Sequence, residues 1–483
     1  MVYTVKSARK AGSTRAGLIN DLLRHVFGMA ALRPGQRQVI DSVLAGRNTL
    51  AIMPTGGGKS LCYQIPASLL PGTTVVVSPL ISLMQDQLDK LDQLGIDAAQ
   101  VNSSLPRAEE LEALDSIRRR ASDIVFCTPE RLATPEFREV LRAARVSLLV
   151  VDEAHCISQW GHDFRPAFLA IGAAVAALGR PPVLALTATA TEDVIADIGA
   201  QLGLGDLQVI NTGMYRPNLY YRVLQSTNAE EKLAQAVELV RSGEGAAIVY
   251  AATVKAARQL HTLLEEQGES VALYHGRLPA AQRKLHQQWF MSGERRVMVA
   301  TNAFGMGIDK PDVRQVIHLQ VPASLEAYYQ ESGRAGRDGQ PADCTLLYFQ
   351  EDKRVQQFFL AGAHGDKLER DRAALEQMVG YAQSGYCRWK LLLDYFGANE
   401  DAMESCGGCD NCITPPGVAF DEDDPGMVLP APAPQLPQIV VGSEVRVPKY
   451  DVGTVLAVAG DQVTIAFPGD EPRTFLADYV QPV

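Results

Sequence analysis

The 483-residue sequence predicts an α/β fold: two tandem, doubly wound parallel-sheet domains, then a helical module and a small C-terminal β-barrel. Three observations predict it. Two long stretches repeat one rhythm, a short apolar strand followed by a helix of about ten to fifteen residues. Their strands read as continuous apolar runs and do not alternate, as expected of parallel strands covered on both faces. After about Gln350 the rhythm gives way to helix, then to a cysteine cluster and a proline-rich stretch.

In the first stretch, assigned to residues 1–214, Asn48–Met53, Thr73–Ser78, Ile124–Thr128, Leu148–Val151 and Val183–Thr187 are the expected strands. In the second, 215–349, they are Ala247–Tyr250, Ser270–Tyr274, Val297–Thr301, Val316–Leu319 and Cys344–Tyr348. The join falls at Gly213–Asn218, where glycine and proline interrupt the pattern. Residues 350–412 form the helical, cysteine-bearing module. Residues 413–438 carry dense proline and the acidic run Asp421–Asp424, too little apolar surface to fold, and are expected to be an extended linker. Residues 439–483 hold the short runs Glu444–Val447, Thr454–Val458, Gln462–Phe467 and Thr474–Leu476, separated by Gly, Pro and Asp, which predict the barrel.

The chain is too long for one core. With 47% hydrophobic and 21% charged residues it has globular composition. No apolar run approaches the roughly 18 residues that span a bilayer, so no membrane association is expected. The mildly basic start lacks the apolar centre of a secretory signal, and the cysteine usage suits a reducing compartment. The expected location is the cytoplasm. The net charge of −11 argues against coating nucleic acid through charge alone. A protein that holds one strand in a groove would need only local positive charge, so the global sign does not decide the matter.

Met53-Pro-Thr55-Gly56-Gly57-Gly58-Lys59-Ser60 lies between an expected strand and an expected helix. The glycines let backbone N–H groups turn toward phosphates, Lys59 supplies charge to the β- and γ-phosphates, and Ser60 offers a hydroxyl to Mg²⁺. The general pattern would place glycine where Met53 stands. A glycine-rich turn with an exposed lysine is the bland alternative, and the strand–helix placement speaks against it. About ninety residues on, an apolar strand runs into Asp152 and Glu153. Asp152 is placed to hold Mg²⁺ and Glu153 to orient and deprotonate the attacking water. Together the two motifs predict nucleoside triphosphate hydrolysis. In the second domain, Gln330-Glu-Ser-Gly-Arg334-Ala-Gly-Arg337 offers two guanidinium groups on one side of a helical turn, able to neutralise charge on a γ-phosphate from a facing domain.

Arg33-Pro-Gly-Gln36, the phosphate loop, Ser78–Met84, Thr128-Pro-Glu-Arg131, Asp152–His155, Leu186–Thr189, Ala300–Asp309 and Gln330–Arg337 resemble, in order, the helicase motifs of superfamily 2. Asp152–Pro166, Tyr386–Gly397 and the Cys406–Cys412 cluster resemble the RecQ family of DNA helicases in particular, over roughly residues 25–415. The resemblance implies two RecA-like domains, ATP and Mg²⁺, and translocation 3′ to 5′ in DNA repair or recombination. It implies that Gln36 reads adenine with Arg33 beside it. Where relatives stack an aromatic on the base, this sequence has Met29, whose thioether can still pack on a ring. Asp309 is implied to lie near the nucleotide, and Ser78, Thr128, Arg131 and Thr301 to touch the DNA backbone, contacts that carry no base information. Trp160, His162, Phe164 and Arg165, directly after the acidic pair, are implied to sense single-stranded DNA by stacking and phosphate contact. The alternative for the aromatics is core packing.

Cys387, Cys406, Cys409 and Cys412, the first expected on a helix, suit tetrahedral zinc. An iron–sulfur cluster also takes four cysteines, and the resemblance points to zinc. Cys62, Cys127, Cys156 and Cys344 sit beside apolar segments and are expected to be buried. The sequence departs from many relatives after Cys412, where linker and barrel stand in place of winged-helix and helical DNA-binding domains. The barrel resembles the Tudor-like domain that ends UvrD-type helicases. Residues 439–483 carry three basic against six acidic side chains, the wrong sign for gripping phosphates, so a protein partner is expected for the barrel. The expected DNA is single-stranded, forked or tailed, and the expected state a monomer. The rival functions are a single-strand translocase that displaces proteins, a nucleotide-gated binding scaffold, and an RNA substrate.

Overall fold

The computed structural model describes residues 14–158, 164–305, 308–360, 365–398 and 403–414, and, in the tail, 442–446, 452–459, 462–467, 473–476 and 481–482. Contacts divide the chain into one compact unit to Pro416 and a second from Gly417.

The first unit holds two parallel sheets. Strands β1 (Asn48–Ile52), β2 (Thr73–Val77), β3 (Ala98–Val101), β4 (Ile124–Cys127), β5 (Val146–Val151), β6 (Val183–Thr187) and β7 (Leu207–Asn211) form one, in the order β3-β4-β2-β5-β6-β1-β7. Strands β8 (Leu219–Gln225), β9 (Ala246–Tyr250), β10 (Val271–Tyr274), β11 (Val297–Ala300), β12 (Val313–His318) and β13 (Ala342–Tyr348) form the other, in the order β10-β11-β9-β12-β13-β8. The inner strands β1, β2, β4, β6, β9 and β11 are buried almost throughout, because helices cover both faces. Three strands lie beyond those expected. β3 carries Gln100, β7 is buried only at Ile210, and β8 alternates in burial, because each closes an edge of its sheet.

Each sheet is filled on both faces. One side of the second sheet packs a cluster that continues into the residues after Gln350 and includes Leu375, Met378, Trp389, Leu392 and Cys409. Trp389 is its centre. Its ring meets Tyr215 and Tyr221 edge-on, each at 5.0 Å between centroids, and its Nε1 donates to the Leu219 carbonyl at 3.3 Å. Arg388 beside it donates to Asp410 at 2.9 Å, and Asp410 accepts from the Val223 N–H at 2.8 Å. The cysteine module is therefore a continuation of the second sheet's core.

In the second unit, β14 (Glu444–Arg446), β15 (Val452–Ala459), β16 (Gln462–Ala466), β17 (Arg473–Leu476) and β18 (Gln481–Pro482) form an antiparallel sheet in the order β17-β16-β15-β14-β18. Val445, Val455, Val463 and Ile465 are buried in it. Most of the expected linker lies outside the described residues.

Truncating Trp389 to Ala is expected to destabilise the first unit by about 3–5 kcal/mol, the cost of a large aromatic removed from a packed core. Urea unfolding followed by circular dichroism reads it, and a cost below about 1 kcal/mol would mean that the module is only loosely attached.

Candidate active site and metal centre

β1 is buried to its end at Ile52, and the chain then turns through Met53–Ser60 into the helix Leu61–Leu69. Gly56 and Gly58 hold left-handed backbone angles, φ +80° and +78°, which any other residue would adopt with strain. The space above them is occupied as well. A Cβ on Gly58 would stand 2.4 Å from Gln36 Nε2, and one on Gly56 would stand 3.2 Å from Arg337 Cγ. Lys59 Nζ donates to the Met53 carbonyl at 3.3 Å, folding its charge back over the loop. Gln36, buried, donates to the carbonyls of Gly57 (3.3 Å) and Gly58 (3.0 Å), and its Oε1 accepts from the Arg33 N–H at 2.8 Å. The Arg33 guanidinium reaches the Gly56 carbonyl. The Gln36 amide thus braces the phosphate loop, and reading an adenine edge would require it to exchange these bonds. Met29 is half exposed in the preceding segment.

β5 delivers the acidic pair. Because β6 separates β1 from β5, their C-terminal ends lie about 10 Å apart, with the phosphate loop on one and Asp152 on the other. Burial first, and then the charge of Glu153, push the Asp152 carboxyl up to about 7, against the pull of Lys59. Glu153 has φ +50°, a strained backbone for a non-glycine residue. His155, fully buried, contacts Thr187 Oγ1 at 3.0 Å and Glu153 Oε2 at 3.4 Å, linking the acid to the end of β6. The Ser60 hydroxyl and the buried Asp152 carboxylate are hard oxygen donors that fit a magnesium ion.

The second sheet contributes the opposite wall. Gln330 lies in the helix Leu325–Ser332, and its buried Nε2 meets no partner among the described residues. Arg334 and Arg337 do not share a helical face as expected. The helix ends at Ser332, and both arginines lie in the turns that follow, where Gly336 takes a left-handed φ of +54°. A Cβ on Gly333 would stand 3.2 Å from Thr55 Cβ, so this turn abuts the phosphate loop. Arg334 is buried, and Arg337 donates to Asp309 at 3.0 Å. Asp309 also accepts from Lys90 of the first sheet's helix Ile81–Gln93 at 2.8 Å. Burial alone would raise the Asp309 carboxyl; the two cations more than offset it and hold it below its usual range. Burial, followed by the neighbouring Arg334 charge, lowers Arg337 to about 10, so it stays protonated at neutral pH. A cavity of about 1180 Å³ opens here, lined among others by Arg33, Thr55, Arg216, Arg337 and Met403.

Two residues of this site escaped the sequence reading. Lys90 looked like any surface lysine. Arg216 lies in the Gly213–Asn218 join, where only the chain-breaking signal was visible.

The residues expected at DNA follow strand ends along the same edges. Ser78 follows β2 and Thr128 follows β4; the Thr128 hydroxyl caps the short helix Pro129–Leu132 by accepting from the Arg131 N–H at 3.3 Å. Arg131 is held by Glu110 at 2.6 Å and lies over the Phe137 ring. Thr301 follows β11 and is buried. Arg165 donates to the Pro79 carbonyl at 3.4 Å, beside Ser78, and Phe164 is half-buried. Trp160 and His162 lie outside the described residues.

The sulfurs of Cys387, Cys406, Cys409 and Cys412 all lie within 4.8 Å of one another. Zinc–sulfur bonds of about 2.3 Å set the edge of a tetrahedron near 3.8 Å. The Cys409–Cys412 and Cys406–Cys412 separations, 3.4 and 3.9 Å, bracket that edge. An iron–sulfur cluster interposes its own sulfides and needs a wider cage. Backbone N–H groups of Arg388 and Cys406 donate to the Cys409 and Cys387 sulfurs at 3.4 and 3.3 Å, which favours thiolates. Cys387 is not inside a helix as expected. It is the N-cap residue of the helix Arg388–Tyr395, as Cys409 is of Asp410–Ile413. The other four cysteines are buried, as expected.

Changing Cys406 to Ser is expected to take bound zinc from one equivalent per chain to near zero and to lower thermal stability, because metal binding there is folding free energy. Metal analysis of the purified variant reads it, and a full equivalent of zinc in a stable variant would contradict the assignment.

Residues 33–198 match the DEAD/DEAH box helicase family, 231–339 the helicase conserved C-terminal domain, and 350–413 the RecQ zinc-binding family. The chain is 45% identical over 394 residues to "ATP-dependent DNA helicase RecQ" of Bacillus subtilis (strain 168), covering 81% of this chain and 66%, just under two thirds, of that relative's length. It is 43% identical over 341 residues to "Probable ATP-dependent DNA helicase RecS" of the same organism, covering 70% of this chain and 68% of that one. The fold is shared with the DUF1998 helicase MrfA bound to DNA, at a TM-score of 0.59 and 18% identity over 75% of this chain and 56% of that one. From these relatives, with the phosphate loop, the arginine turn and the four-cysteine centre in one unit, the chain belongs to the RecQ family of ATP-dependent DNA helicases.

Proposed function

We propose that the protein is an ATP-driven DNA helicase that moves 3′ to 5′ along one strand and separates duplex ahead of it, in repair or recombination. The observation that carries the reading is Arg337, which comes from the second sheet and lies against Gly56 of the first sheet's phosphate loop. A triphosphate in this cleft touches both sheets, so cleaving it changes what holds them together.

In this reading Gly56–Ser60 cradle the phosphates, and Ser60 with Asp152 would hold a magnesium ion, which would neutralise phosphate charge. Glu153 orients the attacking water and takes its proton. Arg334 and Arg337 stabilise the charge that grows on the transferred phosphoryl group. Met29, Arg33 and Gln36 border the base, with Gln36 trading its loop bonds for it, and Thr55, Asp309 and Gln330 complete the cleft. Ser78, Thr128, Arg131 and Thr301 grip the strand by its phosphates at the two sheets' C-terminal edges. Trp160, His162, Phe164 and Arg165 report the strand to the acidic pair, support for which comes from Arg165 bonding beside Ser78. Residues 1–214 and 215–349 act as the two moving domains, 350–412 as the zinc module, and 439–483 as a small barrel tethered by 413–438 that holds a protein partner. The family names carried by the relatives favour DNA over RNA.

The tests use the purified full chain with forked, 3′-tailed and 5′-tailed DNA and with RNA. Lys59→Ala or Glu153→Gln is expected to lower DNA-stimulated ATP turnover by about 100-fold or more while the protein stays folded. Wild-type turnover in either variant would sink the assignment. Unwinding is expected only with a 3′ tail or fork; hydrolysis and strand movement without separation would favour a translocase. Trp160→Ala is expected to bind ATP normally and lose most of the DNA stimulation, and unchanged stimulation would make that loop mere packing.

A further inference from the structure

The tripeptide Arg216-Pro217-Asn218 occupies the passage from the first sheet to the second, between β7 and β8. Arg216 is a buried cation. Each of the four acceptors it meets is a backbone carbonyl. Its Nη1 donates to Gly333 at 2.8 Å and Thr55 at 3.5 Å, and its Nη2 to Ala335 at 2.7 Å and Gly336 at 2.6 Å. Three of these carbonyls belong to the turn that carries Arg334 and Arg337. They stand just past the C-terminus of the helix Leu325–Ser332, the negative end of its dipole, where a cation is favoured. The fourth belongs to the phosphate loop. Asn218 holds the same turn, donating to Gly336 and Gln340 carbonyls, each at 2.9 Å. Pro217 between them fixes its own φ and biases Arg216 toward extended backbone, so the two side chains approach the turn as one clamp.

We infer that Arg216 is a positioning residue for ATP hydrolysis, which holds the 333–336 turn against the phosphate loop and so presents Arg337 to the transferred phosphoryl group. The inference rests on reading this cleft as the hydrolytic site. A planar guanidinium can satisfy several carbonyls in a fixed fork, which a lysine ammonium cannot reproduce. A single cation thus ties the interdomain connector, the arginine turn and the phosphate loop together. The connector is where any change of angle between the sheets must pass, so Arg216 makes the placement of Arg337 depend on that angle.

The experiment compares wild type, Arg216→Lys, Arg337→Ala and the double variant, measuring kcat and KM for ATP at saturating single-stranded DNA, with thermal melting as a folding control. Arg216→Lys is expected to lower kcat by roughly tenfold or more with KM changed less than about threefold, the signature of an interaction made in the transition state. The double variant is expected to be no slower than Arg337→Ala alone, within about threefold, because one residue acts through the other. A near-wild-type kcat in folded Arg216→Lys overturns the inference, and so do losses that multiply. Should Arg216→Lys fail to fold, Gly333→Ala crowds the Thr55 contact with Arg216 retained, and an unchanged kcat there overturns it equally. A wild-type chain inactive on ATP in the presence of DNA would instead defeat the hydrolytic reading itself, before Arg216 is in question.

Discussion

Arg337 can lie across the phosphate loop because residue 56 has no side chain. A Cβ at that position would press on the arginine's Cγ at 3.2 Å, and the loop's left-handed turn there already requires glycine. The same glycines that open the loop to phosphate therefore open it to a side chain from the other sheet. Around that contact the remaining polar groups fall into order. Asp309 steadies Arg337 and is itself held by Lys90 from the first sheet. The Lys90 pair is half exposed, so salt screens it and its contribution is small. The Arg216 bonds to the 333–336 turn are short and buried, while its bond to the Thr55 carbonyl is longer, at 3.5 Å, and part-buried.

The cysteine module serves the same cleft indirectly. Its buried Trp389 packs on Tyr215, the residue before Arg216, and on Tyr221 of β8. Met403, from the segment before Cys406, lines the cavity beside Arg337. A metal that fixes Cys387 against Cys406, Cys409 and Cys412 therefore stiffens the wall on which the connector rests. Asp410 accepts two hydrogen bonds from Arg388, which keeps burial of that guanidinium from being a liability.

Much of this was legible in the amino-acid order, for identifiable reasons. Strands covered on both faces must be apolar throughout, so the inner strands announced themselves. The edge strands β3, β7 and β8 have one flank open and mix Gln, Asn and Arg among their apolar residues, which removes that signal. The phosphate loop, the acidic pair and the arginines were visible because their chemistry demands particular residue types at short spacing. Their meeting was not visible. The approach of Gly333 to Thr55 and of Arg337 to Gly56 depends on how two sheets face each other, information spread over the whole core. Helical spacing placed Arg334 and Arg337 on one helical face, whereas the helix ends at Ser332, before either. Gln36 was legible as a site residue, but its present partners, the carbonyls of Gly57 and Gly58, were not.

At the centre of this account is a hydrolytic site made by both sheets, with Arg337 reserved for the transition state. The most direct measurement is the affinity of the protein for ADP alone and for ADP with aluminium fluoride, which mimics the transferred phosphoryl group, in wild type and Arg337→Ala. The account predicts that both proteins bind ADP alike, and that only wild type gains affinity, by tenfold or more, when the fluoride is added, since a group made for the transition state adds little to ground-state binding. An equal gain in Arg337→Ala would show that the second sheet contributes nothing to the chemistry and would contradict the account.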